Sequence, residues 1–356
     1  MLKIGPIQLD APIVQAALSG YSDASMRLLA REYGCPYAIN EVVLDKFVGL
    51  GGKKMRRMLA IPERDHPVGG QLMGSEPEQF AAATEEMIGL GYDVIDINFG
   101  CPVKKVLGRS RGGYLLSVPE QAREIVKRVC DVVAGRVPVT VKMRRGMDDT
   151  AESERSFFEI LDASFEMGVA AVTVHGRTVR QRYIGPSQWQ FLARVKRHVG
   201  HRVILGSGDL FSAEDCVRML EETGVDGCSI ARGAIGNPFI FREVRALLSG
   251  KPLPAPPSIK QQRRAIEGHF ELLSELHGVE RASVLFRKFA VRYCELHPCN
   301  KAVMGAFVKV RTPEDWHAVL QTWYDKDESR YPVVERRLRP EVLVAAGATL
   351  SCESAS

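Results

Sequence analysis

Between residues 12 and 231, short apolar runs recur at roughly 25–35-residue intervals, and amphipathic stretches fill the gaps. The runs at 12–17, 37–43, 68–73, 94–99, 139–144, 171–176, 203–207 and 227–231 have the length and bounding residues of buried strands. The intervening stretches include "EPEQFAAATEEMIGLGY" and "SAEDCVRMLEETGVD". They open on capping or acidic residues, place apolar side chains at i, i+3 and i+4, and close near a glycine, as amphipathic helices do. Eight such alternations over about 245 residues predict an α/β fold, a TIM (β/α)8 barrel. A doubly wound open sheet is the competing arrangement. The even strand spacing and the lack of a GxGxxG turn after the first strand count against it.

The rhythm breaks at "LLSGKPLPAPPS", where closely spaced prolines make a stiff connector. Beyond it, "KQQRRAIEGHFELLSELHG", "VLFRKFAVRYCELH" and "PEDWHAVLQTWYD" are helical in character. The expected organisation is a barrel over 1–246, a Pro-rich linker at 247–258, a small all-helical domain at 259–325, and a partly frayed tail at 326–356.

Composition narrows the class only a little. The chain has 356 residues, 45% hydrophobic and 26% charged, with a net charge of +5. It contains no apolar run of the ~20 residues that span a bilayer. Its first residues, "MLKIGPIQLDAP", lack a signal-peptide core. Eight cysteines without a CxxC pair suit reduced thiols in a cytoplasmic protein. "CELHPC" offers Cys294, His297 and Cys299 but lacks the second ligand pair of a structural zinc site, so no metal is expected. The charge is unevenly spread. Residues 258–312 hold ten Lys/Arg against five Glu, an excess of five that equals the net charge of the whole chain. Phosphate contact is the natural use of such a segment, and a solvated basic helix is the plain alternative. Arg287, Lys288 and Arg292 fall on neighbouring turns there, and Tyr293 is placed to stack a base.

In a barrel of this type the chemistry sits at the C-terminal strand ends. Those ends are rich in polar groups: Gln71, Asn98 and Cys101, Lys142 and Arg144, His175 and Arg177, "GSGD" (206–209), and "ARGAIGNP" (231–238). The two glycine-bearing turns precede predicted helices, as phosphate-binding turns do, and Arg232 adds a charge. Lys142 needs a partner, because burying a lone ammonium is costly. A flavin fits: Lys142 beside the ring, Gln71 at its edge, its phosphate on loops seven and eight. A salt bridge from Lys142 to Asp96 is the alternative.

Five motifs now identify a resemblance. "DINFGCPVKKV", "VKMRRGMDD", "VTVHGRTVRQRYIGPSQW", "GSGDLFSAEDCVRMLEETGVDG" and "IARGAIGNPFIF" run in order and resemble those of the bacterial tRNA-dihydrouridine synthases. The segment after the linker is similar to that family's C-terminal RNA-binding domain. The resemblance implies an FMN enzyme that uses NADPH to reduce the C5–C6 double bond of specific uridines in tRNA. By position it makes Cys101 the catalytic residue and Asn98 a uracil contact. It makes Gln71, Lys142 and His175 ring ligands, with Ser207, Gly208, Asp209, Ala231 and Arg232 at the flavin phosphate. Pro12 and Ile13 would touch the flavin through backbone. Lys105 matches a lysine after the cysteine and Arg177 an arginine after the histidine, both on the substrate side. Two departures stand out. The family's Pro-Met-Ala start is followed closely by Thr-Asp, whereas "APIVQAALSGYSD" reads several residues longer. Ser207 also replaces a common Asn.

Within that implied chemistry, hydride goes to C6 of uracil and Cys101 donates the proton to C5 as general acid. A free thiol with a pKa near ~8.5 is mostly protonated at neutral pH. A small buried hydrophobe is the ordinary fate of a free cysteine and the alternative role for Cys101. Lys105 or Arg177 would stabilise charge on the carbonyl oxygens. The uridine must leave the RNA stack to react, and Arg287 and Lys288 are the expected RNA contacts. Other readings are an FMN oxidoreductase acting on a free pyrimidine or other small molecule, and a synthase acting on ribosomal RNA. No obligate protein partner is expected.

Overall fold

The computed structural model describes residues 1–45, 52, 55 and 58–325. The chain opens with an antiparallel hairpin, β1 (Leu2–Ile4) and β2 (Ile7–Leu9), turned at Gly5. The following strands are β3 (Ile13–Gln15), β4 (Ala38–Ile39), β5 (Val43–Leu44), β6 (Val68–Met73), β7 (Val94–Phe99), β8 (Val139–Arg144), β9 (Ala171–His175), β10 (Ile204–Ser207) and β11 (Gly227–Ile230). All eight expected strands form. They pair in parallel, each with its sequence neighbour, and the ring closes where β11 meets β3. The second strand differs from expectation, because it is split. Asn40 separates β4 from β5 by turning its side chain out to Arg27, Tyr92 and the Met58 carbonyl.

Helices α1 (Ala24–Glu32), α2 (Pro77–Gly89), α3 (Lys104–Leu107), α4 (Pro119–Val133), α5 (Ala151–Glu166), α6 (Trp189–Val199), α7 (Ala213–Thr223) and α8 (Phe239–Leu248) follow the strands. Local chemistry sets their ends: Asp23 caps α1, Thr150 caps α5, and Ser212 with Asp215 forms a capping box on α7.

The barrel interior is layered. At the N-terminal ends of the strands, the hairpin residues Leu2, Ile4 and Leu9 pack with Val14, Tyr37, Ile39, Val94, Ala171 and Leu205 to make an apolar floor. Side chains alternate along each strand, so the residues two and four places further on also face inward. There the composition turns polar. Asp96 lies opposite Thr140, Asn98 opposite Lys142, and His175 opposite Ser207.

Beyond 250 the chain forms α9 (Ile259–His277), α10 (Val279–Leu285), α11 (Arg287–Tyr293), α12 (Asn300–Phe307) and α13 (Pro313–Tyr324). Phe270, Phe286, Phe307 and Trp316 build their core, with Phe270 stacked on Trp316 at 4.3 Å. These helices rest directly on the barrel: Phe289 meets Tyr21 edge-on at 5.6 Å. A Cβ on Gly236 would lie 2.5 Å from the Tyr293 nitrogen, and Gly236 has φ +64°, so only glycine lets α11 seat there. Helix α8 runs two residues into the expected linker, because the first proline comes only at Pro252. The tail, 326–356, lies outside the described residues.

Candidate active site

Past β7 the chain turns through Gly100, Cys101 and Pro102, and hydrogen bonds hold this turn from two sides. Asn98 Oδ1 accepts from the backbone N–H of Gly100 (2.9 Å) and of Cys101 (3.1 Å). Asn98 Nδ2 donates to Gln71 Oε1 at 2.7 Å, and Gln71 Nε2 donates to Asp96 Oδ2 at 2.6 Å. Thr140 donates to the other oxygen of Asp96 at 2.5 Å. From the opposite side, Arg144 Nε donates to the Gly100 carbonyl at 2.9 Å. Its Nη1 donates to the carbonyls of Thr178 and Arg182. Gly112 lies under the turn with φ +57°, where a Cβ would sit 2.9 Å from that of Cys101. Cys101 itself is half-buried, and burial pushes its thiol above the ordinary range. The sulfur is therefore protonated at neutral pH.

Cations crowd the same rim. Burial, with Arg144 nearby, lowers Lys142 to about 8, and Asp96 opposes the shift. Burial lowers Arg144 to about 10, with Arg177 and Arg232 adding to the effect. His175 falls well below its usual value, first through burial and then through these four cations. It is neutral. Its Nδ1 accepts from the Arg177 N–H at 3.3 Å, so Nε2 carries the proton. Arg232 lies over Tyr183 at 4.4 Å and Phe211 at 5.2 Å. Tyr183 and Ile184 are 54% and 78% exposed, an apolar tip beside the cationic rim.

The structure brings Gln71, Asn98, Cys101, Lys142 and His175 to one end of the barrel and places several other residues differently from expectation. Ile13 pairs with Cys228 and Gln15 with Ile230, and the Pro12 carbonyl accepts from Cys228. Pro12 and Ile13 thus lie at the floor end of β3. Residues 16–18 are the part of this strand that reaches the rim, where Ala16 N donates to the Ile230 carbonyl beside Ala231 and Arg232. Ser22-Asp23 follows closely after 16–18.

Asp209, expected at a phosphate, turns its carboxylate to Arg177 Nη2 (2.7 Å from each oxygen) and to the Ser187 N–H. Ser207 Oγ donates to the Ser229 carbonyl at 3.2 Å, so its hydroxyl is not aimed at the turn. Arg177 is buried and also donates to the Gly185 carbonyl, which makes it chiefly a brace for loop six. Gly208 does what a phosphate turn needs: φ is +111°, and a Cβ there would meet Ser187 Cβ at 2.8 Å and His175 Nε2 at 3.1 Å. Lys105 is exposed on α3.

Farther out, Lys288 Nζ donates to the Gly20 carbonyl and lies over Tyr21 and Phe289. Arg287 donates to the carbonyls of Val284 and Val308. Tyr293 is buried against Phe286, its hydroxyl 3.1 Å from His269, and cannot stack a base. His297 Nδ1 accepts from Cys299 N and its Nε2 lies against the Trp323 carbonyl. No group of three His, Cys, Asp or Glu among the described residues is arranged to hold a metal. The sequence marks Arg144 only as a polar strand end and gives Tyr183 no role. The alternation that turns Lys142 inward signals Arg144, but nothing local signals Tyr183.

A (β/α)8 barrel whose mouth sets a protonated thiol among buried and half-buried cations has the build of an enzyme and the charge to suit an anionic ligand. Comparison with known proteins gives the family. The family described as dihydrouridine synthase (Dus) matches residues 14–326. The probable tRNA-dihydrouridine synthase of Mycobacterium tuberculosis (strain ATCC 25618 / H37Rv) is 32% identical, covering 90% of this chain and 84% of the relative. The tRNA-dihydrouridine synthase B of Xanthomonas campestris pv. campestris is 32% identical, covering 91% of this chain and 96% of the relative. The solved structure of histamine dehydrogenase from Rhizobium sp. 4-9 superposes with a TM-score of 0.54 at 16% identity, covering 76% of this chain and 50% of that one. That last likeness concerns the fold alone, and the chain spans about half the length of that protein. The chain belongs to the dihydrouridine synthase family and is a flavin-dependent oxidoreductase.

The rim suits a flavin on its own chemistry. Among the described residues the Lys142 ammonium, half-buried, has no hydrogen-bond partner. Arg177 Nη1 is buried and equally unpartnered. Both are groups whose burial calls for a polar or anionic occupant.

Proposed function

We propose that the protein is an FMN-dependent tRNA-dihydrouridine synthase that takes its electrons from NADPH and works in the cytoplasm. The observation that carries this reading is the turn at Cys101: a protonated sulfur on a backbone held from both sides, with Lys142 opposite Asn98 on the next strand and without a hydrogen-bond partner among the described residues. Lys142 and the Nε2–H of His175 would hold the ring. Arg232 and the turn at Gly208 would hold the phosphate, with residues 16–18 supplying backbone in place of Pro12 and Ile13. When bound, the reduced flavin supplies hydride to C6 of uracil.

The chain's residues do the rest. Asn98 Nδ2 spends one hydrogen on Gln71 and has a second for a uracil carbonyl. Cys101 gives its proton to C5, and the thiolate left behind is reprotonated from solvent. Arg144 fixes the sulfur's backbone and places positive charge where the carbonyl oxygens gain negative charge.

The division of labour follows the organisation read from the sequence. The barrel, 1–246, carries the chemistry, the linker joins it to 259–325, and that helical part holds the RNA while the uridine is flipped out. The exposed cations Lys260, Arg264, Arg281, Lys301 and Lys309 suit phosphate contact better than Arg287 and Lys288 do, and Arg311, though exposed, also donates to the carbonyls of Val308 and Val310. No helix among the described residues is long and apolar enough to cross a membrane.

The test is purified Cys101→Ala. It keeps its flavin spectrum and its NADPH oxidation but forms no dihydrouridine in tRNA by mass spectrometry. Full product formation in that variant overturns the assigned acid. Equal reduction of free uridine and tRNA by wild type points instead to a small-molecule reductase. Equal flavin reduction by NADH removes NADPH as the specific donor.

A further inference from the structure

Asp96 lies one layer below the reacting groups and touches neither Cys101 nor the solvent. Its side chain is fully buried, and Gln71 and Thr140 are buried beside it. It accepts from Thr140 on one oxygen and from Gln71 on the other. Gln71 then accepts from Asn98, and Asn98 accepts from the N–H groups of Gly100 and Cys101. The chain of bonds has a direction. An amide's two ends are nearly the same size, so packing cannot choose which end of Gln71 or Asn98 points where.

A carboxylate can choose, because it only accepts. It forces Gln71 Nε2 toward itself, which leaves Gln71 Oε1 for Asn98 Nδ2. That in turn leaves Asn98 Oδ1 for the two backbone N–H groups. Reversing either amide sets two donors or two acceptors face to face in a buried place, at the full cost of unmade hydrogen bonds. Burial raises the Asp96 carboxyl to about 6, which leaves it ionised at neutral pH.

We propose that Asp96 is a positioning residue for the thiol turn: it orients the Gln71 and Asn98 amides, and so sets where Cys101 stands. This rests on the reading of Cys101 as the proton donor. The role is one of hydrogen-bond polarity and not of charge alone, which makes it separable by paired substitution.

Three isosteric variants test it, read by the alkylation rate of Cys101 with iodoacetamide in the flavin-loaded protein, resolved by peptide mass spectrometry. In Asp96→Asn, the new carbonyl accepts from Gln71 and the new amide donates to the Thr140 hydroxyl. The direction survives, and alkylation stays within about twofold of wild type. In Gln71→Glu, two carboxylates meet at the 2.6 Å contact. The like charges push the side chain at 71 away from Asn98, the turn loses that support, and alkylation rises about tenfold, the scale of one lost hydrogen bond. In the double variant Asp96→Asn/Gln71→Glu, the amide at 96 donates to the carboxylate at 71, which still accepts from Asn98. The rate returns to within about threefold of wild type.

Dihydrouridine formation follows the same order, in kcat and not in KM for tRNA. A merely structural Asp96 would change melting temperature without this pairwise rescue. A folded Gln71→Glu protein with wild-type alkylation overturns the proposal, and so does a double variant that behaves like Gln71→Glu. A tenfold change in Asp96→Asn alone also overturns it. If Gln71→Glu does not fold, a double variant that folds with wild-type alkylation supports the proposal, and one that fails to fold overturns it. A variant series that shows the alkylation pattern, with a wild-type protein that never reduces tRNA, would refute the RNA reading and leave the Asp96 assignment standing.

Discussion

Replacing Arg144 with methionine tests how firmly the thiol turn must be held. The guanidinium makes three bonds to backbone: Gly100 at 2.9 Å, Thr178 at 2.9 Å and Arg182 at 2.7 Å. Methionine fills much of the stem's volume and makes none of them. Only the Gly100 bond acts on the residue beside Cys101. A hydrogen bond from a charged donor contributes about 1.5–3 kcal/mol. If that energy is what keeps the sulfur in line, its loss lowers the rate of product formation by roughly 10- to 100-fold.

The Thr178 and Arg182 bonds brace loop six, so melting temperature falls as well and must be measured alongside. The assay is anaerobic single turnover: pre-reduced protein mixed with excess tRNA, with flavin reoxidation followed against RNA concentration. The expected loss lies in the rate at saturating RNA, with half-saturation little changed. Arg144→Lys falls between the two, because a single ammonium cannot serve three carbonyls in the guanidinium's geometry. A folded, flavin-loaded Arg144→Met protein whose saturating rate stays within threefold of wild type would refute the reasoning.

Two further outcomes follow. His269 is buried neutral, its value lowered by burial from 6.5 to about 4. Below pH 6.5 the unfolded chain takes up a proton that the folded one refuses, so stability falls toward pH 4 by at most about 1.4 kcal/mol per pH unit. Asp96, raised from 3.8 to about 6, acts with the opposite sign over nearly the same window. The two contributions nearly cancel in the wild type, so His269→Phe, which removes only the histidine's loss, makes the protein relatively more stable toward acid than the wild type, and urea midpoints at pH 7, 5.5 and 4.5 that keep the wild-type slope would contradict the assignment. Separately, Lys301→Gln/Lys309→Gln/Arg311→Gln weakens tRNA binding and lowers the slope of log K against log salt by about 2–3. An unchanged slope would move the RNA to another face.

Much of this was legible in the chain because it is decided locally. Apolar runs of strand length bounded by capped amphipathic helices produce the barrel, and the eight strands lie where the pattern puts them. Inward-facing residues at 96, 98, 140 and 142 follow from alternation alone, which is why Asn98, Cys101 and Lys142 could be named together. The errors fall where pairing partners are distant. The proline at 12 looked like the start of a strand-end motif, yet a strand's position in a barrel depends on its neighbours. Arg177 and Asp209 both looked available for ligands. They are 32 residues apart in sequence and use up most of each other's bonding.

Thus the sequence by itself determined the kind of fold, the order of its elements and the residue types at the open end, because periodicity and capping act within a turn or two of the chain. Tertiary structure alone decided which of those polar groups remain available. The registers of β3 and β11 put Pro12 at the floor and residues 16–18 at the rim, the α11 contact with Gly20 committed Lys288 to the protein's own backbone, and the bonds from Asn98 through Gln71 to Asp96 run in one direction. Such outcomes depend on which distant partner arrives at hydrogen-bonding distance, and short-range pattern carries no record of that.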